Sequence, residues 1–198
     1  MGSRRQFKRK AGTRRYRRMF ILATEGAETE PQYFDLFNNQ NTVIHVKCLK
    51  GRTKSSPDKV LERMKKHLEK SDLRSEDQAW LVVDKDQWTE EQLQRLLDWS
   101  QAAQQHGLAV SNPKFELWLL LHFEEGNGIA NSADCSRRLV KCLPNFAKGD
   151  VDVRKLEENI ERAIERAKRK DVPPCHDWPR HTGTTVYRLV ENILFMRS

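Results

Sequence analysis

Residues 79–83 read Ala-Trp-Leu-Val-Val, an unbroken apolar run that stops at Asp84-Lys85-Asp86. A run without alternation has both faces covered, as in the middle of a parallel sheet. Strand side chains alternate with a period of two, so Asp84 and Asp86 leave on one side and Lys85 on the other. Open α/β sheets take their ligands at the carboxyl ends of their strands. Two carboxylates held that close are unfavourable unless a cation lies between them.

The neighbouring sequence supplies the rest of such a sheet. Met19 to Thr24 is a second buried-type strand and ends in Glu25-Gly26. A helix is expected from Glu30 to Asn39, capped by Thr29 with Gln32 completing a capping box, and with Tyr33, Phe34 and Phe37 on its apolar face. Residues 42–49 read as a third strand. Ser56-Pro57 starts a helix to Lys70 with Val60, Leu61, Met64 and Leu68 inward. Thr89 and Gln92 open another helix, with Leu93, Leu96, Leu97 and Ala103 facing the sheet and Gly107 ending it. Leu108 to Val110 is a short strand of open direction. Asn112 is expected to cap a helix whose first residue is Pro113, placing Glu116 one turn in.

After Gly126 the pattern changes to helices alone. They are expected at Ser132–Cys142, at Asp152–Lys170 with Val153, Leu156, Ile160, Ala163 and Ala167 on one face, and at Thr184–Met196. On the wet side of the second, Glu158/Arg162 and Glu165/Arg169 are i,i+4 partners. The alternation of strand and helix up to Phe123 gives an α/β class, a mostly parallel sheet flanked by helices, with a helical C-terminal extension. The expected divisions are a basic leader over 1–18, the α/β core over 19–125 and the extension over 126–198.

Charge is segregated. The chain of 198 residues has a net charge of +8, but its first eighteen residues hold nine basic side chains and no acid, so residues 19–198 carry −1. Such an arm buries little and suits a phosphate backbone. Arg14, Arg15, Arg17 and Arg18 in the arm, with Arg52 and Lys54 in the loop after the third strand and Lys114, are the expected nucleic-acid contacts. A solubilising leader is the plainer alternative. The longest apolar runs, Leu117 to Leu121 among them, are far short of the ~20 residues a membrane span needs. The cysteines, Cys48, Cys135, Cys142 and Cys175, form no C-x-x-C pair and read as reduced thiols of a cytoplasmic protein. Zinc at Cys175, His176 and His181 lacks a recognised ligand spacing.

Three strand ends thus bring acids to one edge: Glu25, with Glu28 and Glu30 close behind; Asp84 and Asp86; and Glu116. Carboxylates and water are the ligand set of Mg2+ or Mn2+, which serve phosphodiester cleavage. Apart from Glu25, these acids also have a plain explanation. Asp-x-Asp pairs are common in turns, and Glu28, Glu30 and Glu116 are acids of the kind favoured in a first helical turn.

The stretches Thr24-Glu-Gly-Ala-Glu-Thr-Glu-Pro-Gln-Tyr-Phe34, Val83-Asp-Lys-Asp-Gln-Trp88 and Ser111-Asn-Pro-Lys-Phe-Glu-Leu-Trp-Leu-Leu-Leu-His-Phe123, in this order and spacing, resemble the RloB-like family of the Toprim superfamily. The segment Thr184 to Leu194 is similar to that family's closing helix, and the Arg-rich leader is also typical. The resemblance implies a Toprim-like, Rossmann-like fold. It makes Glu25 the Toprim glutamate, a metal ligand or general acid/base, and Asp84 and Asp86 the metal-binding pair. Glu30 matches the second acid of nucleases of the overcoming-lysogenization-defect type. Asn112 and Glu116 fall in the Asn-Pro-x-Phe-Glu motif, with Glu116 as an additional metal ligand. It further implies a Mg2+- or Mn2+-dependent endonuclease acting on RNA, tRNA included, or DNA in bacterial anti-phage defence. A companion ABC/AAA-type ATPase and a homodimer are the expected protein partners. The chain has no G-x-x-x-x-G-K-[ST] loop, so an ATP-driven step belongs to the companion. The competing readings are a non-catalytic subunit that binds nucleic acid and the ATPase, and primase-like nucleotidyl transfer, for which no nucleotide-selecting motif is present.

Overall fold

A computed structural model describes residues 17–38, 43–51, 56–85, 88–146 and 151–197. Its sheet is built from β1 (Arg18–Thr24), β2 (Ile44–Cys48), β3 (Gln78–Asp84), β4 (His106–Asn112) and β5 (Gly183–Thr184). The order across the sheet is β2-β1-β3-β4-β5; the first four strands are parallel and β5 is antiparallel to β4. The helices are α1 (Thr29–Asp35), α2 (Pro57–Leu68), α3 (Glu90–Gln101), α4 (Glu116–Leu120), α5 (Ser132–Cys142), α6 (Val153–Glu157), α7 (Ile160–Lys170) and α8 (Val186–Arg197). This is an α/β, Rossmann-type arrangement with a mostly parallel sheet, of the Toprim-like kind.

The apolar runs fill two cores, as period-two strands covered on both faces must. Phe20 and Leu22 of β1 and Trp80 and Val82 of β3 join Tyr33, Phe34, Trp118 and residues of α5, α7 and α8 on one face. Ile21, Ala23, Ala79, Leu81 and Val83 point the other way, against Val60, Met64, Leu93 and Leu96 of α2 and α3. The chain runs β1–α1–β2 to one side, then crosses β1 through α2 to reach β3. The direction of winding therefore reverses between β1 and β3. The crevice at their carboxyl ends is where this class of sheet binds its ligands.

Several local expectations change. The helix after β1 starts at Thr29 itself, and neither Thr29 nor Glu28 makes a side-chain cap bond. Gln32 instead accepts from Val151 N at 3.3 Å. The Thr89/Gln92 capping box forms as expected, with Gln92 N donating to Thr89 Oγ1 at 3.3 Å. Ala103 lies beyond that helix and is exposed. Gly107 belongs to β4, under the Trp80 indole, where any side chain would collide with the ring. β4 thus spans seven residues and is parallel to β3. Asn112 is its last residue, paired with Gly183 and donating to Pro179 O at 3.0 Å, so it caps no helix and α4 begins only at Glu116.

The helix expected over 152–170 breaks at Asn159. Its Nδ2 takes the Lys155 carbonyl at 3.0 Å, the acceptor a continuous helix would use, and α6 and α7 result. Arg166 and Arg169 pair with Glu125 instead of with a neighbour on their own helix, while Arg162 donates to Asn159. Thr184 is in β5, the strand that the helical pattern after Gly126 concealed. α8 packs on α7, β4 and β2.

Candidate functional site

Glu25 follows β1 directly and is positioned from two sides. Its backbone N–H donates to Val82 O at 2.9 Å, continuing the β1–β3 ladder. Its Oε2 accepts from Asp84 N at 3.1 Å and from Trp88 Nε1 at 3.0 Å. The side chain therefore spans the gap where the winding reverses. Asp84, the last residue of β3, accepts from Phe115 N at 2.8 Å through Oδ1. It holds the turn that leads into α4, the task the sequence assigned to Asn112.

Glu30 sits in the first turn of α1 and is 5% exposed. Its Oε1 accepts from Gly26 N at 2.8 Å. A side chain at position 26 would occupy the space of that carboxylate and displace it. Burial pushes the Glu30 pKa up to about 7 against the pull of its backbone hydrogen bonds, and Glu116 and Glu25 push it further. No ion pair neutralises Glu30 among the described residues. Glu116, the first residue of α4, lies 3.2 Å from Lys114 Nζ. That ammonium also donates to Ser136 Oγ at 2.6 Å and is largely covered.

Glu25, Glu30, Asp84 and Glu116 are thus gathered at one end of the sheet. Asp86, their expected companion, lies outside the described residues, as do Arg14, Arg15, Arg52 and Lys54. Arg17 is exposed next to β1. Arg18 belongs to β1 rather than to the leader, pairing with Glu76 at 2.6 Å. Lys114 is engaged with Glu116 within the acidic group. Among the described residues no set of three or more His, Cys, Asp or Glu side chains converges as a ready-made metal cage. This covers Cys175 and the two histidines near it; Cys175 instead lies beside Asp171 and Arg188. All four cysteines are free thiols.

The donor chemistry nonetheless suits a hard divalent cation. The assembled groups are all carboxylate oxygens, and Glu30 is a buried acid with no ion pair among the described residues, only the more distant charge of Arg63 acting on it. A cation here would relieve the same penalty that raises its pKa. Two contributors escaped the sequence. Trp88 was only the end of the Asp-x-Asp stretch, yet it orients Glu25. Arg63 of α2 donates through Nη2 to Thr24 O, the carbonyl just before Glu25. Their signal was proximity in space, which no spacing in the sequence carries.

A family model described as RloB-like protein matches residues 20–193. No curated protein and no solved structure matches the chain.

Proposed function

The chain belongs to the RloB-like protein family, and on that premise we propose that it is a metal-dependent nuclease, cleaving phosphodiesters in RNA, tRNA included, or in DNA as an effector of bacterial anti-phage defence. The observation that carries this is the bridge from Glu25 to Asp84 across the point where the winding reverses, with the unneutralised acid Glu30 beside it. Glu25, Glu30, Asp84, Asp86 and Glu116 would hold Mg2+ or Mn2+. Such an ion would lower the pKa of a bound water and offset charge on the phosphate. The chain's own groups set the stage. Asp84 N and Trp88 Nε1 fix one oxygen of Glu25, Gly26 N fixes one of Glu30, and Lys114 tempers the charge of Glu116. In the free chain Glu30, with its pKa near 7, holds a proton up to about neutrality, and binding the ion would release it.

A second reading has its own support. The hydrogen bonds of Glu25 and Asp84 tie β1, β3 and the turn before α4 together, which is also a structural task. In that case the chain is a non-catalytic subunit binding nucleic acid and an ATPase.

The full chain, alone and with its companion ATPase, is incubated with tRNA, total RNA and plasmid DNA in Mg2+ or Mn2+. Cleavage that vanishes in Glu25→Gln and Asp84→Asn supports the nuclease. Both substitutions keep an oxygen acceptor for the observed hydrogen bonds. Variants that cut like the parent would show that the site is misassigned, and no cleavage under any condition favours the binding subunit. Truncating residues 1–16, which leaves β1 whole, is expected to weaken nucleic-acid binding and flatten its salt dependence.

A further inference from the structure

A second feature lies beside the acids and has the opposite charge. Lys47 of β2, Lys50 just after it, and Arg63, Lys66, His67 and Lys70 on and just past α2 line an open cavity of about 460 Å3, floored by Cys48 and Leu49. Among the described residues, none that lines it is an acid. The helix accounts for the pattern: positions 63, 66, 67 and 70 repeat at three- and four-residue spacing and so share one face. The two strand-end lysines face the same space. Residues 19–198 have a slight net negative charge, so this concentration is local and not an average property of the surface.

The positive potential is largely uncancelled. Lys66 pairs with Glu62 at 2.5 Å, but both side chains are mostly exposed, and such a pair is readily exchanged for another anion. The His67 pKa lies below its ordinary value, through burial and then through the nearby Lys47 and Lys70. Arg63 marks the inner end. It packs against Gly51, where a side chain would meet its guanidinium, and it reaches the Thr24 carbonyl. Its buried Nε has no hydrogen-bond partner among the described residues. Thr24 immediately precedes Glu25, so the Arg63 end of the cavity lies beside the carboxyl end of β1.

We propose that this cavity is a binding track for the phosphodiester backbone of a nucleic-acid strand, which it leads past Arg63 to the acids at the ends of β1 and β3. Mobile lysines serve a sequence-independent backbone contact, and the half-buried arginine fixes where the strand arrives. The destination of the strand rests on the nuclease reading; the binding does not.

The test uses the full chain, basic arm included, in EDTA. Fluorescence anisotropy is recorded with a single-stranded RNA and the DNA of the same sequence across a salt series. The comparison is between the parent, Lys47→Gln/Lys50→Gln/Lys70→Gln, and a control, Lys141→Gln/Lys155→Gln/Lys168→Gln. All six lysines are exposed, and circular dichroism melts verify that each protein is folded. Three lost phosphate contacts should make the slope of log K against log salt shallower by about 2, while the control keeps the parental slope. An unchanged slope in the cavity variant, an equal loss in the control, or a parent that binds no strand would overturn the track. So would inorganic phosphate or a mononucleotide that competes as well as the oligonucleotide, which would make the cavity a small-anion site. A protein that binds through this cavity yet cuts nothing removes the nuclease reading and leaves the track standing.

Discussion

Asp171 and Glu30 are almost equally buried, at 7% and 5% exposed, and are treated in opposite ways. Asp171 accepts from Cys175 N at 2.9 Å, Tyr187 Oη at 2.8 Å and Arg188 Nη2 at 2.7 Å. Burial alone would raise its pKa, but these bonds outweigh burial and hold it below the usual carboxylate value. Glu30 has a backbone hydrogen bond from Gly26, faces two other acids and titrates near 7. A carboxylate buried for stability brings its partners with it. One buried without a countercharge costs stability in the free chain, and its environment is completed when something positive arrives. That contrast separates the helical packing between α7 and α8 from the acidic end of the sheet.

The contrast can be broken at either end. The largest effect is expected from Asp171→Ala. It removes the counter-charge of Arg188 and the acceptor of the Tyr187 hydroxyl, and should cost about 3–5 kcal/mol, seen as a lowered urea midpoint. Little loss would mean that Asp171 is not the anchor its hydrogen bonds suggest. Next come Glu25→Gln and Asp84→Asn, for which nuclease activity should fall on the order of 10²-fold or more, because loss of even outer-shell support costs about 10–100-fold. Their melting temperatures should stay near the parent's. A collapse in stability with activity per folded molecule retained would make both acids structural.

Glu30→Gln should do the reverse of Asp171→Ala, stabilising the protein while lowering activity. The sign follows from proton binding. An acid whose pKa is raised from 4.5 to about 7 on folding binds more protons in the native state between those values, so stability falls as pH rises through that window. The glutamine removes that fall and can still accept from Gly26 N. The gain should reach on the order of 1–3 kcal/mol at pH 8 and disappear near pH 4.5. Equal melting curves at both pH values would show that Glu30 is not strained. The smallest effect is expected from Gly26→Ala, which keeps every carboxylate but displaces that of Glu30. Loss of the hydrogen bond should cost about 1 kcal/mol in stability, with reduced activity. Unchanged activity would mean that the exact seat of Glu30 is unimportant.

Much of the fold was legible because burial writes itself into periodicity. The unbroken runs of β1 and β3 require cover on both faces, and the Thr89/Gln92 box and the 132–142 helix appear where their local chemistry places them. The errors share a cause. Asn112, Gly107 and Thr184 each carry a plausible local signal that a distant partner overrides: Gly183 for Asn112, Trp80 for Gly107, Ser111 for Thr184. At Asn159 the override is the side chain's own competition for a carbonyl.

By itself the sequence determined that Glu25 and Asp84 would stand at the ends of buried strands, since apolar patterning and alternation fix where a strand stops and which way its last side chains leave. Only the tertiary structure decided how they are used. The order β2-β1-β3-β4 sets β1 beside β3, letting Glu25 take Asp84 N and Trp88 Nε1 and letting Asp84 take Phe115 N. The same packing buries Glu30 without an ion pair among the described residues and folds the basic face of α2 against the end of β2. Hydrogen bonds and desolvation depend on three-dimensional distance, and residues far apart in the chain carry no local mark of the neighbours they will meet.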